Sequence, residues 1–310
     1  MDSLTETDLP NLILISKGCK VHDIYSTSDP YKLLFVATDR ISTYNVILKN
    51  GILGKGKLLT EVSLFWFQKL EHIILNHFVM ANIDEMPTEI CGYHRQLDGG
   101  SMVIKKVKVV PLEAIVWGHL TGSAWAEYKK SGTVHRISLP AGLMEPEKLP
   151  TPLFTPSTKA EQGSHDENIL PEQASKLNGS ELNARISEAA LALYSTVSAH
   201  VHSKGWILAN TKFEFGLFLV SPAPGAKQEL LLIDELHAGL IAVLATRGIC
   251  SWTLTAIFDK QYLRDWLVGS GFRKGLEAGP EGSGGAGWVI DDEIIEGTRK
   301  PYEVVVMLTG

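Results

Sequence analysis

A chain of 310 residues can bury a large hydrophobic core, and this length favours two lobes over one compact unit. Its hydrophobic content of 45% and charged content of 21% are typical of soluble globular proteins. The formal net charge of −6, without a long run of lysine or arginine, argues against a general nucleic-acid-binding protein. A local basic pocket for phosphates remains compatible with this composition.

The cysteines and the N-terminus indicate the compartment. Cys19, Cys91 and Cys250 are odd in number and far apart, so they predict neither a disulfide framework nor a metal site. The first ten residues are acidic, where a signal peptide is basic and then apolar. Since no apolar run approaches membrane-spanning length, we expect a cytoplasmic protein with neither a membrane nor a nucleic acid as partner.

The first part of the chain predicts strands, a helix and a hinge. Residues 32–38 and 102–110 have the composition of strands, the second of them half-exposed. Pro111 is expected to interrupt the second strand before the apolar residues 112–116, which is typical of a hinge between lobes. Residues 57–70 carry a helical pattern.

The middle of the chain predicts a long loop and the strongest helix. Pro140 to Gln162 is rich in proline and threonine and lacks periodicity, which favours a surface loop. Asn178 to Lys204 is periodic, with Ser180 as the expected N-cap and Gly205 as the stop. The apolar stripe expected to face the core consists of Leu182, Ile186, Ala189, Leu193, Val197 and Val201.

The last third predicts a second sheet and a terminal helix. Residues 206–209, 216–220 and 229–233 have the pattern of strands. The glycine-rich residues 279–287 favour a surface loop, and residues 291–310 favour a helix.

Two stretches rich in polar residues are candidates for binding. In S-K-G-C-K-V-H-D-I-Y (16–25), Gly18 and Lys20 could place backbone N–H groups and an ammonium against a phosphate, although most such turns are only turns. F-T-P-S-T-K-A-E-Q-G-S-H-D-E-N-I (154–169) has little apolar content, and on composition alone a solvated loop is the favoured interpretation. Its charged and titratable residues are Lys159, Glu161, His165, Asp166 and Glu167.

Two strand-like stretches carry carboxylates. In N-T-K-F-E-F-G, alternation places Lys212 and Glu214 on one face, where they could also be only a surface ion pair. In L-L-I-D-E, Asp234 closes a strand. Glu214 and Asp234 on neighbouring strands would offer Mg²⁺ the one or two carboxylates it usually takes beside nucleotide phosphates, but two unrelated acids are an equal alternative.

In this order the stretches resemble the SAICAR synthetase (phosphoribosylaminoimidazole-succinocarboxamide synthase) family, especially its fungal form. The resemblance covers nearly the whole chain. The shared runs are L-L-F-V-A-T-D-R-I-S, G-K-L-L-T-E-V-S-L-F-W-F, L-E-A-I-V, L-T-G-S-A-W, F-T-P-S-T-K-A-E-Q-G, H-D-E-N-I, T-K-F-E-F-G, F-D-K-Q-Y-L-R-D-W-L and F-R-K-G-L-E-A-G-P-E-G.

The resemblance implies an α+β fold of two lobes with ATP bound between them. An antiparallel, β-rich lobe is expected over residues 1–112, and a larger α/β lobe with the substrate and metal sites over residues 113–310. It implies an ATP- and Mg²⁺-dependent ligase that joins L-aspartate to a carboxylated aminoimidazole ribonucleotide in purine synthesis. A monomer is the working expectation, although the sequence does not determine the oligomeric state.

The resemblance also implies roles for individual residues. Lys212 and Lys159 are expected at the catalytic centre, Lys212 contacting the ATP phosphates and Lys159 on the substrate loop. The further residues expected to bind ATP are Gly18, Lys20, Val110, Leu112 and Glu113. The residues expected to bind substrate are Ser123, Asp166, Glu167, Lys260 and Gln261, and those expected to bind metal are Glu214 and Asp234.

The chain departs from the family pattern at several positions. Trp117 replaces an arginine that binds phosphate, and Asn210 stands where aspartate is usual. His22 replaces an arginine, and Cys19 is inserted beside it. Val243, within residues 236–257, stands where the resemblance implies a second arginine that binds the substrate phosphate. Loss of positive charge at positions 117 and 243 predicts strongly impaired catalysis. A degenerate nucleotide-binding protein without ligase activity is therefore the alternative function.

The largest departure covers residues 236–257. The family usually continues T-P-D-S-S-R-F-W-P after the acidic pair, but this chain reads L-H-A-G-L-I-A-V-L-A. Codons chosen for residues 237–246 and read one nucleotide later can encode the family segment. We interpret the stretch as translated out of frame, through a sequence error or a decayed gene, with true divergence as the alternative.

Overall fold

A computed structural model of the protein describes residues 3–19, 21–44, 46–159, 167–220, 227–233, 242–245, 261–273, 287–307 and 309. The chain forms two compact units. The first consists of residues 1–66, 77–106 and 259–310, and the second of residues 67–76 and 107–258. The lobe boundary expected at residue 112 stays a prediction; the units differ from it in grouping residues 259–310 with the N-terminal part.

An antiparallel sheet with the strand order β1-β2-β3-β7-β6 forms the centre of the first unit. The predicted strand at residues 32–38 is confirmed as β3. The strands of this unit are β1 (Leu14–Cys19), β2 (His22–Ser26), β3 (Lys32–Ala37), the paired β4 (Ser42–Thr43) and β5 (Val46–Ile47), β6 (Phe78–Met80) and β7 (Ser101–Lys105).

Helices cover two apolar clusters of the first unit. Leu34 and Val103 of the sheet pack with Ile90 and Leu97 of the short helices, and a second cluster buries Leu263. The described helices are α1 (Lys55–Leu70), which enters the second unit at Phe67, a 3₁₀ turn (Ile83–Glu85), α2 (Thr88–Cys91), α3 (His94–Leu97), α7 (Gln261–Gly269) and α8 (Asp292–Met307). The predicted helix at residues 57–70 is thus confirmed, and the one predicted at 291–310 is confirmed over residues 292–307.

A second antiparallel sheet, with the order β11-β8-β12-β13, forms the centre of the second unit, and β14 also pairs with β12. Its strands are β8 (Lys108–His119), β11 (Lys148–Thr158), β12 (Trp206–Leu219), β13 (Gln228–Ile233) and β14 (Ala242–Ala245), beside the hairpin of β9 (Thr133–Val134) and β10 (Ile137–Ser138). Two predicted strands, 206–209 and 216–220, are therefore parts of the single strand β12. The predicted strand at 229–233 is confirmed as β13.

The predicted loop at residues 140–162 is wrong over its second half, because residues 148–158 form β11. Its prolines suggested a loop because proline lacks the N–H that a central strand needs. β11 lies at the end of the described strand order, and an irregularity in its pairing with β8 falls between Lys148 and Leu153. An edge strand with such an irregularity accommodates proline.

The predicted interruption at Pro111 is also wrong, because β8 runs through it. The pairing of β8 with β12 shifts between Glu113 and Val109, so the missing N–H of Pro111 falls at an irregularity. The Pro111 carbonyl accepts a hydrogen bond from the Lys159 backbone N–H at 3.3 Å. The break in the predicted strand at 102–110 instead falls at residues 106–107, between β7 and β8.

The long helix of the second unit packs on the sheet and is confirmed nearly as predicted. The helices here are α4 (Gly122–Ser131), α5 (Pro171–Asn178) and α6 (Ser180–Ser203). Gly179, not Ser180, is the N-cap of α6. Ile186, Leu193, Val197 and Val201 are buried as expected, whereas the partly exposed Leu182 and Ala189 are less central than the buried residues Asn183, Ala190 and Tyr194.

These elements confirm the predicted α+β class, because helices combine with sheets whose named strand pairs are antiparallel. Among the described helices, none is both long and apolar enough to cross a bilayer. The predicted glycine-rich loop at 279–287 lies outside the described residues, except for Gly287.

Candidate functional site

One face of the paired strands β8 and β12 gathers several of the predicted site residues. Glu214 lies opposite Glu113, and Lys212 lies opposite Ile115. Directly opposed residues of an antiparallel pair project from the same face, so these side chains are neighbours. Phe213 and Phe215 alternate with them and are buried, as the strand pattern predicted.

The neighbouring strands extend this face across the sheet. Ser157 of β11 lies opposite Glu113, and Ile233 of β13 lies opposite Glu214. Ser157 is buried and its hydroxyl donates to the Glu167 carbonyl at 3.1 Å. The strand register therefore brings Ser157, Glu113, Glu214 and Ile233 into one row, although their positions in the chain are far apart.

The two lysines of this face neutralise its two glutamates. Lys212 Nζ donates to Glu113 Oε1 at 2.6 Å and lies 3.9 Å from Glu214 Oε1. Lys159 Nζ donates to Glu214 Oε2. Positive and negative groups thus alternate in the order Glu113, Lys212, Glu214, Lys159, which we call the charged row.

Burial makes this alternation energetically necessary. The side chains of Glu113 and Glu214 are only 8% and 9% exposed, so their carboxylates have lost most of their water. Two buried carboxylates side by side repel each other and are costly without nearby positive charge. Lys212, with 23% of its side chain exposed, and Lys159, with 35%, supply that charge and remain partly open to solvent.

The donor set of the charged row fits a magnesium ion held together with a phosphate-bearing ligand. Glutamate oxygens are the hard ligands that Mg²⁺ prefers, and Mg²⁺ beside nucleotides usually takes only one or two protein carboxylates. The described residues contain no group of three or more His, Cys, Asp or Glu side chains arranged to hold a metal. Asp234, the second predicted ligand, lies outside the described residues.

Farther along the same face, Trp117 fills an apolar and aromatic environment. It is buried with Leu120, Tyr128 and Leu149, and its indole Nε1 donates to the Thr155 hydroxyl at 3.0 Å. The His135 ring meets it edge-on, with ring centroids 6.0 Å apart. A neutral tryptophan whose indole N–H is hydrogen-bonded therefore occupies position 117, where the sequence resemblance implies a phosphate-binding arginine.

A turn ordered by Glu127 holds His135 in place. The two carboxylate oxygens of Glu127 accept from the backbone N–H groups of His135 and Arg136 at 3.0 Å, and one of them also accepts from the Thr133 hydroxyl. His135 and Arg136 both have positive φ angles, 48° and 64°, which histidine tolerates better than most residues. These hydrogen bonds hold the strained turn between β9 and β10.

Burial controls the titration of this region. Burial would raise the pKa of Glu127, but its hydrogen bonds with Arg136, Thr133 and His135 outweigh that effect and lower the pKa. Burial lowers the pKa of His135, and the charge of Glu127 only partly opposes this. His135 Nδ1 is buried without a hydrogen-bond partner. A neutral imidazole is therefore the form that this packing favours.

The backbone of β8 closely approaches α6 immediately after Trp117. A Cβ at Gly118 would lie 1.7 Å from the Tyr194 hydroxyl oxygen, so only glycine fits there. The Tyr194 hydroxyl donates to the Leu208 carbonyl at 2.7 Å, and burial raises the pKa of Tyr194 to about 12. This contact holds β8 against α6 on the face of the sheet opposite Trp117 and the charged row.

The other predicted site residues are distributed as follows. Val110 and Leu112 are buried in β8, and Ser123 is exposed in the first turn of α4. Glu167 is exposed, and its backbone pairs with Thr158. The backbone of Gly18 lies in β1 and that of Gln261 begins α7; Lys20, Asp166 and Lys260 lie outside the described residues.

Two relationships escaped the sequence interpretation. Glu113 is expected from the sequence to bind ATP, and its carboxylate also contacts Lys212, 99 positions away, which the sequence did not predict. The ion pair between Lys159 and Glu214 was also missed. Alternation along residues 112–116 could have placed Glu113 on the same face as Lys212, had the pairing of β8 with β12 been considered.

Comparison with known proteins identifies the family. A sequence model of SAICAR synthetase matches residues 14–278. Phosphoribosylaminoimidazole-succinocarboxamide synthase of Cyberlindnera jadinii is 46% identical over 323 residues, covering 99% of this chain and 98% of the relative. The corresponding protein of Pichia angusta is 48% identical over 281 residues, covering 86% and 88%.

A solved structure agrees. The SAICAR synthase of Saccharomyces cerevisiae, solved in complex with SAICAR, superimposes with a TM-score of 0.80 and is 38% identical, covering 99% of this chain and 97% of that one. The predicted fold, with its two-lobed SAICAR synthetase-like form, is therefore confirmed. The chain belongs to the SAICAR synthetase family, whose curated members named above are ligases of purine biosynthesis.

Proposed function

We propose that this chain joins L-aspartate to 5-amino-1-(5-phospho-ribosyl)imidazole-4-carboxylate at the expense of ATP, forming the succinocarboxamide SAICAR in purine biosynthesis. The observation that carries the proposal is the charged row, because it offers two partly exposed ammonium groups beside two buried carboxylates. A reaction that gathers ATP phosphates, a ribose phosphate and the carboxylates of aspartate requires this kind of counter-charge. The names of the relatives, and the SAICAR bound to the Saccharomyces cerevisiae protein, support the choice of substrates.

The chemistry requires activation of a poor electrophile. An oxygen of the imidazole carboxylate attacks the γ-phosphorus of ATP, the bond to ADP breaks, and an acyl phosphate forms. The aspartate amine then attacks the acyl carbon, phosphate leaves with the bonding electrons, and the amine loses a proton. Lys212 lies in the middle of β12 and is suited to binding the transferred phosphoryl group, while Lys159 at the end of β11 is suited to the reacting carboxylate.

Glu214, together with Asp234, would hold Mg²⁺, which when bound neutralises charge on the phosphates. Glu113 holds Lys212 by an ion pair and so acts as its positioning residue. Gly18 and Lys20 are assigned to the ATP loop, and Val110 and Leu112 to the wall beside adenine. Ser123 is assigned to the ribonucleotide phosphate. The remaining residues proposed to bind substrate are Asp166, Glu167, Lys260 and Gln261.

A second function, nucleotide binding without ligase activity, is favoured by one observation. Trp117 is 6% exposed and packs among apolar side chains, so it provides no positive charge for the ribonucleotide phosphate. A charge-assisted hydrogen bond to such a phosphate is worth about 1.5–3 kcal/mol. Strongly impaired catalysis by this chain follows from the loss of such contacts at positions 117 and 243.

One assay separates the two functions. The purified protein is incubated with ATP, Mg²⁺, L-aspartate and the carboxyaminoimidazole ribonucleotide, and SAICAR formation is followed by liquid chromatography. ATP affinity is measured separately by calorimetry. Formation of SAICAR that requires all reactants, even at a low rate, supports the ligase. ATP binding without SAICAR formation supports the nucleotide-binding protein, provided that a restored version of the chain is active. The restored version carries Trp117→Arg, Asn210→Asp and the family segment over residues 236–257. Turnover by the original chain at the rate of a fungal relative would refute the predicted impairment.

A further inference from the structure

We infer that Lys159 is a resident counter-ion of Glu214 which the metal must displace, so that metal binding releases this lysine toward the acidic reactants. The inference rests on the proposed function, since it takes Glu214 as a metal ligand. It adds an exchange step that connects the metal to Lys159.

Both oxygens of Glu214 face a lysine. Oε2 accepts the hydrogen bond from Lys159, and Oε1 lies 3.9 Å from Lys212 Nζ. A Mg²⁺ ion binds a carboxylate oxygen at about 2.0–2.1 Å and needs a near-octahedral arrangement of ligands. An ammonium hydrogen-bonded to the same oxygen occupies that approach and repels the ion. A cation that coordinates Glu214 through Oε2 must therefore displace the Lys159 ammonium, whereas Oε1 makes no hydrogen bond with Lys212 but faces its positive charge.

The surroundings indicate which lysine moves. Lys212 is held by Glu113 at 2.6 Å and lies within a strand that is paired on both sides. Lys159 follows the last residue of β11, and its side chain is more exposed than that of Lys212, 35% against 23%. Lys159 can therefore leave with little change to the sheet, and Oε2 is the oxygen that becomes available to the metal.

Charge balance explains why a lysine is held there at all. Among the described residues, the four side chains of the charged row carry two positive and two negative charges, so each buried carboxylate has an ammonium beside it. Removing the ammonium from a buried carboxylate without replacing it is costly. When a divalent cation takes its place, Glu214 remains neutralised and the displaced ammonium becomes available to phosphate or carboxylate groups of the reactants.

Metal binding itself provides the test. Mn²⁺, which serves as a spectroscopic substitute for Mg²⁺, is titrated into the full-length protein by calorimetry and electron paramagnetic resonance, with and without ADP. Lys159→Met should lower the Kd for Mn²⁺ by about three- to tenfold, as expected for removal of a half-exposed, charge-assisted competitor. Lys159→Arg retains the positive charge and should stay near the wild-type Kd. Lys176→Met removes the same charge from the exposed face of α5 and should have no effect.

A second measurement avoids a substitution at Lys159. Reductive methylation followed by mass spectrometry reports how accessible each lysine amine is, and Mn²⁺ should increase modification of Lys159 in the wild-type protein. In Glu214→Gln, modification of Lys159 should be high and independent of Mn²⁺. Thermal unfolding of each variant verifies that it is folded.

The outcomes distinguish this inference from the proposed function. If Lys159→Met binds Mn²⁺ with the wild-type Kd while Glu214→Gln no longer binds it, the inference is overturned but the metal role of Glu214 is supported. Failure of Lys159→Met to bind Mn²⁺ at all would overturn it as well. Binding that survives Glu214→Gln would contradict the proposed metal role.

Discussion

Asn210 and Trp117 lie directly opposite each other on the paired strands β12 and β8. The sequence resemblance to the family implies a charged residue at each position, aspartate at 210 and arginine at 117. Directly opposed residues on one face of a sheet interact, and an unpaired buried charge is strongly unfavourable. Asparagine and tryptophan are both uncharged, so this opposed pair is neutral, and we expect an arginine introduced at position 117 alone to lack a partner at position 210.

The Asn210–Trp117 relationship predicts that restoring the arginine alone is harmful to the fold. Trp117→Arg would remove the hydrogen bond to Thr155 and bury a cation opposite an amide, lowering the free energy of unfolding by about 2–4 kcal/mol. Adding Asn210→Asp should recover at least about 1 kcal/mol beyond the sum of the single changes. Urea unfolding of the wild type, both single variants and the double variant measures this coupling. Additive effects would contradict it.

The ion pair between Lys212 and Glu113 predicts a similar coupling within the charged row. Lys212→Met would leave two buried carboxylates facing each other, so it should destabilise the protein by about 2–4 kcal/mol and reduce any ligase rate by about 100-fold or more. Glu113→Gln in the same chain should restore about 1–2 kcal/mol of stability but not the rate. Lys176→Met controls for the lost charge, and unfolding and product formation are measured on each variant. Recovery of the rate in the double variant would contradict the role of Lys212.

Local patterns were sufficient to predict some elements of this fold but not the geometry of the site. The period of α6 and the alternation of Lys212, Phe213, Glu214 and Phe215 are local properties, and the structure confirms the alternation and most of the buried stripe of α6. The contact of Glu113 with Lys212 depends on the register between strands that are distant in the chain, which alternation alone does not determine. β11 was missed because its prolines are tolerated only in its particular position in the sheet.

The approach of Gly118 to Tyr194 predicts a strict requirement for glycine. Gly118→Ala would place a methyl group 1.7 Å from the Tyr194 hydroxyl oxygen, so the sheet and α6 must separate, at a cost of about 2–4 kcal/mol. Gly92→Ala is the matched control, because a Cβ at this position would have no atom within 4 Å and the φ of −59° suits alanine. Thermal unfolding compares the two variants. Equal melting temperatures would show that the contact is easily relaxed.

Burial of His135 predicts a loss of stability under mildly acidic conditions. Because burial holds the pKa of His135 below the value of 6.5 expected for an unfolded chain, the unfolded state binds a proton first as the pH falls. This contribution to stability is complete above about pH 6.5 and decreases between that pH and the lowered pKa, by at most about 1.4 kcal/mol per pH unit. The substitution His135→Asn should flatten this pH dependence, because asparagine tolerates the positive φ but does not titrate.

The measurement for His135 is the free energy of unfolding between pH 8 and pH 5. His119, whose pKa is also lowered by burial, should retain its own contribution in the His135→Asn protein, so the slope should decrease without disappearing. His202→Asn replaces an exposed histidine on α6 and serves as the control. An unchanged slope in His135→Asn would exclude His135 as a source of the pH dependence.

The segment over residues 236–257 leads to a prediction about the sequence of the messenger RNA. Of this stretch, the structure describes the backbone of β14, whose residue Val243 lies opposite Leu208 of β12. If the segment is translated out of frame, sequencing of the transcript should reveal a frame that encodes T-P-D-S-S-R-F-W-P, with an arginine at position 243. A protein carrying that segment should bind the ribonucleotide more tightly, by about 10-fold or more for one charge-assisted phosphate contact. A messenger RNA that encodes L-H-A-G-L-I-A-V-L-A in frame would instead establish true divergence. Binding of the ribonucleotide phosphate would then have to rely on other residues.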